Sequence, residues 1–246
     1  MTYVLPRVSR LISLLLSVLV GAVVTGLSVP SAAWAAEETR TIAGFEAVAL
    51  ETSDRVRVEL AEQASVRVSG SPRAIEAIET ILETRGGVPT LVIRSKHRTW
   101  FESSPSVQIV VQGPRFQALA VAGSGQLEAT LSNQPALRLS MAGSGDLRVR
   151  GVTTHLAEVN VAGSGDVRVQ GAAQNLAVRV AGSGDAWLQE LEAEDVRVSV
   201  AGSGDARVHA RQRLRTSVAG SGNVRYSGPA KDVSHSVAGS GRAVKD

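Results

Sequence analysis

The chain has 246 residues, 43% of them apolar but only 3% aromatic, with 24 glycines and no cysteine. Without cysteine there can be no disulfide, thiolate metal site, cysteine nucleophile or lipidated N-terminal cysteine. The formal net charge is only +3, and a core of Val, Leu and Ala suits thin layers better than a thick globule.

At the N-terminus, Arg7 and Arg10 precede an apolar run over 11–27, and Ala33-Trp34-Ala35 supplies a small-x-small cleavage pattern. This predicts a secretory signal peptide over 1–35 and a mature start at Ala36. An uncleaved anchor is the alternative, because the run is nearly long enough to span a bilayer. Pro30 and the Ser/Ala stretch behind it favour cleavage. Removing two Lys/Arg and no Asp/Glu leaves 24 against 23, a formal +1. Nucleic acid, which needs clustered positive charge, is therefore not an expected partner. No second long apolar run follows. The mature chain reads as exported, periplasmic or at the cell surface, and not as an integral membrane protein.

The N-terminal part of the mature chain, 36–121, alternates in strand fashion over 45–50, 55–60, 65–69, 90–94 and 107–112. Between them Ser71 and Pro72 read as an N-cap and N1, and Ile75, Ile78, Ile81 and Leu82 recur at helical spacing up to Gly86-Gly87. This predicts a capping helix over 72–84, covering the open end or the side of the structure. The segment from Lys96 through Arg98, Trp100 and Phe101 reads as a loop leaving the scaffold. Loops on rigid scaffolds collect binding residues, and Trp beside Arg is a common contact composition. Alternatively, Trp100 and Phe101 fold back to seal the core; the sequence does not separate the two.

The second part, 122–246, is a repeat. Ala-Gly-Ser-Gly begins at Ala122, Ala142, Ala162, Ala181, Ala201, Ala219 and Ala238, at successive intervals of 20, 20, 19, 20, 18 and 19 residues. Before each copy apolar and polar residues alternate, as in Val196, Val198 and Val200 around Arg197 and Ser199. After it comes a shorter alternating run such as Val167 and Val169, closed by a turn near Gly151 or Gly171. A unit of strand, glycine corner, strand and turn cannot bury its apolar side alone, but stacked copies share one narrow core. Corners that stack on identical corners need positive φ and close backbone approach, and Gly supplies both. The expected fold is all-β: a single-stack parallel β-solenoid of 18–20 residues per coil, right-handed as such crossovers are. A β-sandwich is the rival, but sandwiches do not need the same tetrapeptide at every corner.

These residues carry a resemblance. The run from the Ser71 segment through "GGVPTLVIRS" and "VQIVVQGPRFQALAVAGSGQLEA" to the repeated "AGSGD" turns resembles the putative auto-transporter adhesin head GIN domain family of bacteria. The resemblance covers roughly residues 42–243 and implies a secreted or envelope-associated β-solenoid. It implies no defined activity, and an architectural label does not give function. The last repeat ends within a few residues of Asp246, leaving no room for a C-terminal translocator barrel.

Asp146, Asp166, Asp185 and Asp205 follow successive tetrapeptides and invite comparison with calcium-binding β-rolls. Those use G-G-x-G-x-D, whereas here the order is A-G-S-G-D, decaying to Gln126, Asn223 and Arg242 in other copies. The simpler reading is that the carboxylates bond the turn backbone, with Arg148, Arg168 and Arg207 relieving like-charge stacking. No metal and no cofactor are expected. A carbohydrate-active β-helix enzyme is a further alternative, but a catalytic site breaks repeat symmetry. The four histidines, His97, His155, His209 and His235, occupy unrelated repeat positions, and the serines do not form a nucleophile elbow. Trp187 replaces the outward arginine of other copies. It reads as a cation–π partner of neighbouring arginines or as an exposed platform for a sugar. The sequence thus predicts a non-catalytic binding or structural module of the cell envelope. Arg98, Trp100, Phe101 and Trp187 are its candidate contact residues, and an envelope polysaccharide or another surface protein its candidate partner.

Overall fold

Alternation places every second side chain on one side of the backbone, and only stacking gives that side somewhere to be buried. The computed structural model describes residues 36–96 and 107–246; Arg98, Trp100 and Phe101 lie outside them. The chain opens with β1 (Ala36–Arg40), β2 (Ala47–Leu50), β3 (Arg55–Leu60) and β4 (Ser65–Gly70), then α1 (Pro72–Ala77), β5 (Ile78–Arg85) and β6 (Val88–Ser95). Next come β7 (Gln108–Gly113), β8 (Ala118–Gly123), β9 (Gln126–Thr130) and β10 (Gln134–Gly143), and the long bent strands β11 (Asp146–Gly163), β12 (Asp166–Gly182), β13 (Ala186–Gly202) and β14 (Ala206–Gly220). β15 (Asn223–Ser227), β16 (Asp232–Gly239) and β17 (Arg242–Lys245) complete it. Among the described residues no helix is long and apolar enough to cross a membrane.

From β8 onward each repeat lies parallel to the next and in register. Ala122 pairs with Ala142, Ala142 with Ala162, Ala162 with Ala181, and so on through Ala201 and Ala219 to Ala238. The result is a β-solenoid of about six turns. Each coil has a first face, formed by the strand before the tetrapeptide, and a second face after it. Met141, Val161, Val180, Val200 and Val218 point inward from the first, and Leu147, Val167, Ala186, Ala206 and Val224 from the second; all are buried. One continuous apolar cluster runs from Phe45 to Val224.

The two glycines of the tetrapeptide act differently. The first has positive φ, +122° at Gly163 and +120° at Gly182. The second has ordinary φ, but a Cβ on Gly165 would stand 2.5 Å from the Gly145 carbonyl oxygen. The corners therefore stack backbone on backbone. The Gly143 carbonyl accepts from both Ser164 N–H and Gly165 N–H, at 2.8 and 2.9 Å.

The N-terminal part departs from simple chain order. On the first face β2 lies between β6 and β8, and on the second face β3 lies between β7 and β9, all in parallel. The coil β2–β3 is made first in the chain yet sits inside the stack, and the coil β6–β7 is laid on its far side. The chain then passes over the inner coil to reach β8, with Gln117 N–H donating to the Glu46 carbonyl at 2.7 Å. Beyond β6 and β7 the ladders close with antiparallel strands: β5 on β6, β4 on β7 and β1 on β4.

The helix expected over 72–84 is corrected to 72–77. Its start holds, with Ser71 Oγ accepting from Ala74 N–H at 3.3 Å and Pro72 in the first turn. Residues 78–85 instead form β5, because Gly86 and Gly87 both have positive φ, +57° and +82°, and close a tight hairpin onto β6. Two glycines after an apolar run signal a hairpin turn as well as a helix end. Here β-branched Ile78, Thr80 and Ile81 gain a whole cross-strand partner from that choice. α1 buries Ala74 and Ile75 in the core. Arg40 ties it down, donating to the carbonyls of Ile75 and Ile78 at 3.0 and 2.9 Å. The other end is open: Val237 and Val244 in β16 and β17 are 43% and 48% exposed.

Candidate binding faces

Each outward row can be read along the stack. On the second face Asp146 pairs in register with Asp166, and Arg148 with Arg168. Neighbouring carboxylates would repel, and their partners show how this is relieved. Arg168 reaches Asp166 at 3.0 Å and Asp146 at 3.6 Å, while Arg148 reaches Asp146 at 3.4 Å. Farther along, Asp185 Oδ1 accepts from Asp205 N–H at 2.9 Å, and Asp205 Oδ1 from Asn223 N–H at 2.8 Å. The carboxylates are thus bound to arginines or to the backbone of the next corner. Among the described residues no three His, Asp or Glu side chains group in a way that could hold a metal ion.

Trp187 sits in the arginine row, between Arg168 and Arg207 in register. The two guanidinium carbons lie 5.6 and 4.3 Å from its ring centroid, a spacing at which cations are attracted to the indole face. Its Nε1 is buried and has no hydrogen-bond partner. The ring is half-buried and held by its arginines. A depression of about 270 Å³ beside it is lined by Arg168, Gln170, Trp187 and Glu190.

The three histidines among the described residues do not converge. His155 is exposed, His209 Nδ1 lies 3.0 Å from Ser227 Oγ, and His235 Nδ1 lies 2.8 Å from Thr216 Oγ1. A groove of about 410 Å³ follows the corner opposite the glycines and is lined by amides, hydroxyls and paired charges such as Asn133, Gln174, Thr153, Glu192 and Arg211. Arg211 there binds Glu192 at 3.0 Å. Ion pairing also marks the N-terminal hairpin, where hydrogen bonds to Glu51 and then Glu83 raise the Arg85 guanidinium above its ordinary pKa.

Sequence reasoning missed the buried polar latches. Asp54 Oδ1 accepts from Val107 N–H at 3.0 Å, and Gln134 Oε1 from Phe116 N–H at 3.1 Å. Both hold connections across the inserted coil. No local pattern announces them, since their donors lie 53 and 18 residues away in the chain.

The fold and its outward rows define a parallel β-solenoid with extended, regularly charged faces. The chain belongs to the family described as "Putative auto-transporter adhesin, head GIN domain", whose model matches residues 44–230. A putative adhesin from Bacteroides fragilis is similar in structure, with a TM-score of 0.80 at 20% identity over 86% of this chain and 97% of that one. A protein from Parabacteroides distasonis described as a putative lipid binding protein gives a TM-score of 0.68 at 21% identity, covering 87% and 98%. A putative adhesin from Parabacteroides merdae gives 0.65 at 17%, covering 87% and 97%. At these identities the likeness is one of fold. A comparison with curated proteins finds no match.

Proposed function

We propose that this protein is an exported, non-catalytic binding module of the cell envelope that presents its rigid outer faces to a ligand. The observation that supports this reading most is the equivalence of its outward rows. Asp and Arg recur coil after coil, bound to each other or to turn backbone. A catalytic site needs one group in a special environment. The family description supports an adhesive role, and the leader-like features of residues 1–35 support export. Arg98, Trp100, Phe101 and Trp187 are the residues nominated for ligand contact, with an envelope polysaccharide as the partner class.

The test is to incubate the purified protein with envelope polysaccharides and with whole cells, following binding and release of new sugar ends together. Saturable binding without turnover is the expected result. Turnover would establish the enzyme reading instead, and absence of binding to any of them would remove this one.

A further inference from the structure

We infer that the first face of the C-terminal coils is a binding site for carboxylate-bearing polysaccharide, centred on Arg179, Arg197 and Arg215. The inference rests on the module reading above and assigns it a surface and a ligand chemistry.

The argument starts from charge pairing. Arginines that point outward elsewhere on the solenoid mostly meet carboxylates: Arg138 binds Glu158 at 2.8 Å, Arg168 binds Asp166 at 3.0 Å, and Arg213 binds both Asp195 and Asp232 at 3.2 Å. Arg179, Arg197 and Arg215 are exposed, and none has a carboxylate within ion-pair distance among the described residues. Arg197 and Arg215 are also direct register partners. Like charges placed opposite each other in adjacent strands repel, so folding alone gives no reason for this pair.

The surroundings are suited to sugar. Arg179 pairs in register with Ser199, Ser199 with Ser217 and Ser217 with Ser236. A row of exposed hydroxyls thus runs beside the arginine row, Arg197 to Arg215 to Ser234. At the edge of this surface a groove of about 290 Å³ is lined by Leu156, Asn175, Asp195, Arg197, Arg213 and Arg215 among others, its one carboxylate, Asp195, being bound to Arg213. Guanidinium groups match carboxylates in a planar, two-bonded geometry, and serine hydroxyls both donate to and accept from sugar hydroxyls. The rungs repeat at about 4.8 Å, which lets one extended polymer meet several rungs in turn. On the second face Arg148 and Arg168 are bound by the Asp row and Arg207 is engaged by Trp187, so that of its register pair Arg207–Arg225 only Arg225 is left without a partner of either kind among the described residues.

Other polyanions fit less well. The arginine and serine rows of these coils carry Arg, Ser and Ala, and the exposed apolar side chains beside them, Leu156 at the groove and Val237 on the last rung, are single residues and too few to enter a bilayer. Nor, among the described residues, does this face present an outward Phe, Tyr or Trp to stack a nucleic-acid base.

Alginate, a polyuronate, is the probe, with dextran as its neutral counterpart and phosphatidylglycerol vesicles as the anionic membrane. The protein is expected to bind alginate and not dextran, with affinity falling steeply as salt is raised. Arg179→Gln/Arg197→Gln/Arg215→Gln should weaken alginate binding about tenfold or more, while the melting temperature stays near wild type, since the three side chains are exposed. Removing three exposed charges elsewhere, Arg55→Gln/Arg150→Gln/Arg225→Gln, should change affinity by less than about twofold. Equal loss in both triple variants would mean diffuse attraction and overturn the site. Unchanged alginate binding by the first triple variant would also overturn it while leaving the module reading intact. Tighter, Arg179-dependent capture by vesicles would replace polysaccharide with membrane. Failure of the wild type to bind any polysaccharide or cell would remove both.

Discussion

A methyl group placed on Gly165 would stand 2.5 Å from the Gly145 carbonyl oxygen and 2.8 Å from Met141 Sδ. Because the backbone oxygen cannot move without dragging a whole rung, Gly165→Val should cost about 2–3 kcal/mol from overpacking. Backbone strain adds nothing there, since positive φ belongs to Gly163 and not Gly165. Ser164, between them, is exposed, and Ser164→Ala should stay within about 0.5 kcal/mol. Gly241→Val meets the Gly222 carbonyl in the same way, but no coil lies above to hold it, so the terminal rung can yield and the cost should be smaller. Denaturant melts of the three variants check the order. The carboxylate row gives a second comparison. Asp205→Ala removes the acceptor of two Asn223 donors and should cost about 1 kcal/mol, whereas Asp166→Ala loses a half-exposed pair with Arg168 worth about 0–0.5 kcal/mol. With the carboxylates so engaged, millimolar calcium should leave the melting temperature nearly unchanged. A large stabilisation abolished by chelator and by Asp166→Ala with Asp185→Ala would favour the β-roll.

At the scale of elements, period-two alternation located strands well: the expected 55–60 is β3, 65–69 falls within β4 (Ser65–Gly70), and 107–112 is β7 (Gln108–Gly113) to within a residue. It also identified which arginines face outward. The failure at 78–84 is instructive, because Ile78, Ile81 and Leu82 satisfy a helical spacing while Gly86-Gly87 satisfies both a helix stop and a hairpin. What decides is a partner, β6, that lies beyond the turn. If that hairpin fixes the end of the first face, Gly86→Asn should be almost neutral, since Asn tolerates positive φ. Gly86→Val should cost about 1–2 kcal/mol. Thermal melts of the two variants distinguish these outcomes. The candidate polysaccharide face was only half legible for the same reason. The outward direction of Arg179, Arg197 and Arg215 follows from alternation, but their lack of an ion-pair partner among the described residues depends on which residues the register places beside them.

For the whole molecule, the repeat made the stack from β8 onward readable, because identical tetrapeptides can align in only one sensible way. Nothing comparable marks β2 and β3. Short Val, Leu and Ala strands fit against many neighbours, so the sequence does not disclose that their coil lies between β6–β7 and β8–β9. This insertion makes the capped end a product of contacts across more than 70 residues, as between Arg57 and Glu128, and such pairings form late because their loops are costly to close. The absence of cysteine allows a direct test of the stacking by paired cysteines and mild oxidation. Arg57 is the register partner of both Val110 and Glu128, about 4.8 Å from each and within the reach of a disulfide. Val110 and Glu128 are then two rungs apart, about twice that distance and beyond the reach of a disulfide. Arg57→Cys/Glu128→Cys should therefore close an intramolecular disulfide, seen as a loss of two hydrogens in intact mass, and Val110→Cys/Glu128→Cys should not. Ready closure of the Val110–Glu128 pair, with none between 57 and 128, would mean that coils stack in simple chain order and would contradict this architecture.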